Sequence, residues 1–240
     1  MIGIRSDKVV GVYSNSAKLQ VKNLSVGTTK SAVRNAFRSG YTGPLESITK
    51  GNTMYMLPSR TERDVFSNGK DYVTVFYDNE KGGTLTAVQI IDNATELNYT
   101  EATDDSSFIS SSENISFFLI NSIRVRFKKP ILRKDSEMAE IAREHSQDMI
   151  NRSFTDHYNP DGQGPGDRVK AAGFEFQKCG ENISRNYLPS IVSAHESLMN
   201  SEKHRENILG DTKNVGIGIR MGVYKGNFSM FQTQLFITYK

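Results

Sequence analysis

The chain has 240 residues, with 30 Lys+Arg against 27 Asp+Glu and a net charge of +3. That length suits one large domain or two modest ones, and the charge lacks the dense positive field that binding a nucleic-acid backbone requires. A single cysteine, Cys179, excludes an intramolecular disulfide and a cysteine-based structural zinc site, and no apolar run approaches the ~20 residues of a membrane span.

Residues 1–7 lack the apolar core of a secretory leader. The chain is therefore expected to be cytoplasmic, or to follow a signal or anchor that has been removed. In the first half, Ala32, Val33, Ala36 and Phe37 sit at helical spacing behind Thr29, which predicts a helix over residues 30–38 with a threonine cap. The β-branched and aromatic run at residues 72–77 predicts a strand. A turn at 78–83 and a return strand over 84–91 complete a hairpin. This half has no histidine and no cysteine, so it reads as a structural or interaction domain. The Ser/Asp-rich stretch at 103–113 has the composition of a linker, and places a boundary at 112, with domains at 1–112 and 113–240.

All four histidines, His145, His157, His195 and His204, lie in the second half. Helices are predicted over 114–127, stopped by Pro130, and over 136–151, where Met138, Ile141, Ala142, His145 and Met149 form one buried stripe. A polar loop leads to a short helix at 167–172 that Gly173 terminates, and another helix follows at 190–199. The chain closes with an antiparallel pair, 215–219 and 228–239, joined through Lys225-Gly226-Asn227. Helices on a small sheet make this half α+β. His145 and His195 fall on apolar helix faces and read as core residues, and Cys179 reads as a small apolar side chain. Asn182 and Asn207 read as partners for buried backbone groups, and Asp167-Arg168 as a helix-start acid with an arginine tying down the loop.

Seven strings run in register through this half. They are 119–124 (LINSIR), 141–149 (IAREHSQDM), 154–162 (FTDHYNPDG), 167–173 (DRVKAAG), 180–183 (GENI), 198–209 (LMNSEKHRENIL) and 215–218 (VGIG). Together they resemble the bacterial branch of the CAP superfamily (cysteine-rich secretory proteins, antigen 5, pathogenesis-related 1), also called the SCP domain. The first half resembles the CAP-associated N-terminal domain of Gram-positive bacteria. The resemblance implies an α-β-α sandwich whose cleft carries two histidines and two acids. These map to His157, Glu181 and His204; the second acid falls near Ser201, where Glu202 is the neighbouring carboxylate. A tryptophan common before the Met-Asn-Ser string is Leu198 here.

Two forms of the cleft stay open. His157, His204 and Glu181 could hold a divalent metal such as zinc with a position left for water, or form a hydrogen-bonded site without metal. The ligand cleft is expected to comprise His157, Glu181, His204, Asn182, Ser201 and Glu202. The function expected from the resemblance is an extracellular or cell-surface module that binds a small-molecule, lipid or cell-envelope ligand. It would meet a membrane only through an N-terminal anchor absent from this chain, and nucleic acid is not an expected partner. The alternative is a hydrolase, metal-assisted or acid–base, using His157, Glu181 and His204. No Gly-x-Ser-x-Gly elbow or His-Glu-x-x-His string supports a named hydrolase mechanism.

Overall fold

A computed structural model of the chain describes residues 1–57, 61–98, 105–187 and 190–240. They form two compact units, Met1–Glu101 and Ala102–Lys240. The first contains β1 (Ile2–Arg5), β2 (Lys8–Ser14), β3 (Gln20–Val21), β4 (Leu24–Ser25), α1 (Lys30–Ala36), β5 (Ser47–Lys50), β6 (Thr53–Met56), β7 (Arg63–Ser67), β8 (Asp71–Asp78), β9 (Thr84–Asp92) and α2 (Asn93–Asn98). An antiparallel sheet runs β1-β2-β9-β8-β7, with β3-β4 and β5-β6 as separate pairs.

The expected hairpin is β8–β9, turned by glycines at 82 and 83 that both hold positive φ. Thr29 caps α1 by accepting from the Ala32 amide. The helix then lays Val33 onto a core of Phe37, Phe66, Val75, Tyr77 and Leu85. Beside that core, Arg34 donates to both oxygens of the buried Asp64 at 2.8 and 2.9 Å, and Tyr77 donates to Asp64 Oδ2 at 2.8 Å. The buried carboxylate is thus fully paired.

The second unit contains α3 (Ser106–Arg126), β10 (Arg133–Lys134), α4 (Ser136–Asn151), α5 (Pro165–Ala171), β11 (Phe176–Asn186), α6 (Ile191–Met199), α7 (Glu202–Leu209), β12 (Asn214–Tyr224) and β13 (Asn227–Tyr239). The boundary expected at 112 falls inside α3 and is corrected: the two units part between Glu101 and Ala102. The serines misled because they look like linker. Asp105 instead caps the helix by accepting from Ser107 N at 2.6 Å, and Ser112, Glu113 and Ser116 are buried. Small hydroxyls let α3 approach its neighbours closely. Glu113 is neutralised by Arg143 at 2.7 and 2.8 Å, and it also accepts from the Ile219 amide.

The sheet order is β10-β12-β13-β11, with β10 parallel to β12 and the other pairs antiparallel. Register sorts its two faces. Gly216, Gly218, Thr233, Leu235 and Glu181 share one face, and α4 lies on it so closely that a Cβ at Gly216 or Gly218 would sit 2.1 Å from α4 backbone. Ile217, Gln234, Phe236, Gly180 and Asn182 share the other face, where α3, α6 and α7 pack. This is the expected α-β-α sandwich, and β11 is an edge strand of its sheet.

Candidate functional site

Consecutive residues of a strand point to opposite faces. Glu181 therefore turns toward α4 and α5, while Asn182 turns toward α7. Each organises one of the two expected histidines.

On the first face, the loop that follows α4 is rigidified from within. Asn159 Oδ1 accepts from the amides of Asp161 and Gln163, and Asp156 Oδ1 accepts from the amide of Tyr158. Arg168, on α5, donates to the carbonyls of His157 and Gln163 at 2.9 and 2.8 Å. His145, buried on α4, pairs its Nε2 with the Asp156 carbonyl at 3.0 Å. A carbonyl only accepts, so Nε2 carries the proton. The loop so held brings His157 Nδ1 to 2.9 Å from Glu181 Oε1, while Arg168 Nη2 donates to Glu181 Oε2 at 2.6 Å. His145 Nε2 stands 3.8 Å from the same carboxylate. Glu181 is buried and the His157 ring is about half exposed, so the imidazole is the member of the pair that solvent or a ligand meets.

On the second face, Asn182 donates to the His204 carbonyl at 3.0 Å and to Gln234 Oε1 at 3.2 Å, and accepts from Asn207 at 2.9 Å. Asn207 also donates to the Glu181 carbonyl at 3.0 Å. Gly180 is needed for this contact, since a Cβ there would lie 2.5 Å from Asn207 Oδ1. The far end of α7 is held by Arg124, which donates to the carbonyls of Ile208 and Gly210 at 2.7 and 2.8 Å. These bonds fix the backbone of His204 and leave its half-buried ring out of the network.

The two imidazoles titrate apart. The hydrogen bond to Glu181 raises His157 above the ordinary histidine range, against the opposing effect of partial burial. Burial lowers His204, and the charge of His157 lowers it further. The two environments thus push the imidazoles in opposite directions. Burial alone pushes His195 down to about 4. Burial is also the main cause that pushes His145 down, against the attraction of Glu181, and the Cys179 thiol up to about 11, with Glu181 adding to it. The core readings of His145 and His195 and the inert reading of Cys179 fit these environments.

The expected ligand set is assembled only in part. Asn182 is completely buried and supports the backbone of His204. Ser201 occupies the N-cap position of α7 without a side-chain capping bond, and Glu202 is exposed in the first turn, where an acid is favoured by the helix dipole. Among the described residues no bond joins Glu202 to His157 or Glu181. Glu181 also fits poorly as a metal ligand. One oxygen is held by Arg168 and the other by His157, and among the described residues no group of three or more His, Cys, Asp or Glu is arranged to hold a metal. The partnership of Arg168 and His145 with Glu181 escaped the sequence reading, although both were placed as structural residues.

Comparison with known proteins agrees with this architecture. Residues 1–101 match the CAP-associated N-terminal domain, and residues 117–236 match the cysteine-rich secretory protein family. The Bacillus subtilis protein YlbC, described as an uncharacterized membrane protein, is 28% identical over 95% of this chain and 70% of its own length. YkwD of the same organism is 33% identical over 47% of this chain and 44% of its own. A solved extracellular protein containing an SCP domain from Bacillus anthracis superposes with a TM-score of 0.76 at 25% identity, covering 98% of this chain and 80% of that one. A Staphylococcus aureus cysteine-rich secretory protein shares the fold, with a TM-score of 0.73 at 15% identity over 98% of this chain and 80% of its own. The chain thus belongs to the cysteine-rich secretory protein family of the CAP superfamily, carrying one such domain behind a CAP-associated N-terminal domain.

Proposed function

We propose that the chain is an extracellular or cell-surface binding module whose cleft, centred on His157 and His204, takes a ligand with an anionic group. The observation that carries this reading is the double engagement of Glu181. With both oxygens held by His157 and Arg168, the carboxylate is neither a free general base nor an open metal ligand. Two basic side chains, His157 and Arg168, stand against the single carboxylate of Glu181, and the bond to Glu181 favours the charged form of His157. An anionic headgroup or carboxylate of a small molecule, lipid or envelope fragment suits that pair.

The location rests on the Bacillus anthracis relative, which is described as extracellular. The related YlbC is described as a membrane protein, while among the described residues here no helix is long and apolar enough to cross a membrane. A hydrolase using the same cleft is the second reading, favoured by the His157–Glu181 bond, which resembles a base held by its orienting carboxylate.

Imidazole NMR separates the two. Inorganic phosphate, acetate and lysophosphatidylglycerol are titrated against the labelled chain. Shifts at His157 and His204 that Glu181→Gln abolishes, with no turnover of peptide or ester panels, are expected. Turnover that depends on His157 would overturn the binding reading, as would silence of both rings toward all three probes.

A further inference from the structure

A second surface of the CAP domain uses none of the cleft residues. From Asn114 to Lys134 the chain contains no Asp or Glu, and six basic residues crowd positions 124–134. Arg124 is turned inward onto carbonyls, but Lys128, Arg133 and Lys134 are exposed, and the Lys129 side chain is 41% exposed. Three large apolar side chains stand among them: Phe118 at 67% exposure, Val125 at 62% and Ile131 at 64%.

Phe118 and Val125 are two helical turns apart and share one stripe of α3. The segment 131–134 runs beside that stripe. Asn121 both donates to the Leu132 carbonyl and accepts from its amide, and Lys134 Nζ donates to Asn114 Oδ1 at 2.6 Å. The result is one continuous face with an apolar centre and a cationic margin. Asp211, 3.9 Å from Lys129, borders it.

Exposed apolar clusters rimmed by polar groups mark interaction surfaces. A soluble polyanion would use only the margin and leave Phe118, Val125 and Ile131 in water. An anionic bilayer uses both parts, since headgroups neutralise the cations while the acyl boundary takes the apolar side chains. We propose that this face docks the domain onto an anionic phospholipid bilayer, with Phe118, Val125 and Ile131 entering the headgroup–acyl boundary and Lys128, Lys129, Arg133 and Lys134 above the headgroups.

The full chain is to be sedimented with phosphatidylglycerol–phosphatidylcholine vesicles and with pure phosphatidylcholine vesicles. Binding is expected only to the mixed vesicles and should weaken with added salt. At roughly fivefold per cation near an anionic surface, Lys128→Gln with Lys129→Gln should lower partitioning about 25-fold. Val125→Ser with Ile131→Ser should lower it at least about 20-fold, because the burial of two aliphatic side chains is lost. All four positions are solvent-facing, so circular dichroism should be unchanged in both variants. The proposal is overturned if the wild-type chain ignores the mixed vesicles. It is equally overturned if the double-serine variant binds them as the wild type does, because the attraction is then that of an adsorbed polycation. Failure here leaves the cleft reading intact, since the imidazole titrations report on other residues.

Discussion

His195 is the histidine whose protonation the fold resists most. Helix α6 buries it to 1% exposure, and neither ring nitrogen has a hydrogen-bond partner among the described residues. Burial takes its pKa from the ordinary 6.5 down to about 4. Between those values the unfolded chain binds a proton that the folded chain refuses. Stability contributed by the neutral ring is therefore complete above about pH 6.5, declines as pH falls, and is exhausted near pH 4. At about 1.4 kcal/mol per pH unit, the window amounts to about 3 kcal/mol. His195→Leu deletes the titration and two unpaired polar atoms, so the variant should be at least as stable as wild type at about pH 7.5 and should gain on it steadily toward acid. Hydrogen exchange of the β12–β13 amides, followed through urea at several pH values, reads the stability of this unit directly. His145 is also depressed by burial and contributes with the same sign, so the informative quantity is the difference between wild type and variant. A difference that stays constant from about pH 7 to pH 4.5 would refute the reasoning.

Further outcomes follow from single contacts. Gly218→Ala places a methyl group 2.1 Å from the Arg143 amide nitrogen, so α4 must move off the sheet; a loss of about 3 kcal/mol is expected in urea denaturation, and a neutral result would contradict the packing. Cys179, with its pKa pushed up to about 11, should resist aromatic disulfide reagents at pH 8 in the folded chain and react once the chain is unfolded in urea; prompt reaction in the folded state would contradict its burial.

Elements with a long apolar period were legible from sequence. α4 was read to within a residue because Met138, Ile141, Ala142 and Met149 mark its buried stripe, and Asp135 caps it by accepting from the Met138 amide. The β8–β9 hairpin was equally plain from its β-branched and aromatic run. β11 was not read as a strand. Its residues 176–186 include Gly180, Glu181 and Asn182, which have poor strand propensity. Each is there for a tertiary reason: Gly180 admits Asn207, Glu181 holds His157, and Asn182 holds the backbone of His204. Local propensity fails where the site is built, as expected when function overrides local consistency. α7 was missed for a related cause. Among its residues only Ile208 is buried, so no apolar stripe announces a helix. Glu181 and His204 were found through their short strings alone. Arg168 was read as tying down the loop, and it does so through the carbonyls of His157 and Gln163; its second bond, to Glu181, was out of reach because it spans the turn from α5 to β11, which no periodicity encodes.

The position of β11 at the sheet edge lets two separately supported histidines be delivered from opposite layers of the sandwich. An interior strand presents its faces to two layers that never meet. An edge strand has an open flank, around which groups from the two layers can approach. Here the loop after α4 delivers His157 from the layer of α4 and α5, and α7 delivers His204 from the opposite layer. Their supports remain distinct, Arg168 and Glu181 for one and Asn182 and Asn207 for the other. The strand passes through both supports at consecutive residues, so a cleft of the kind proposed would take its precision from the sheet and its two walls from different helical layers. A ligand bridging the rings would therefore clamp the two outer layers together across the edge of β11, coupling occupancy of the cleft to the stability of the whole sandwich.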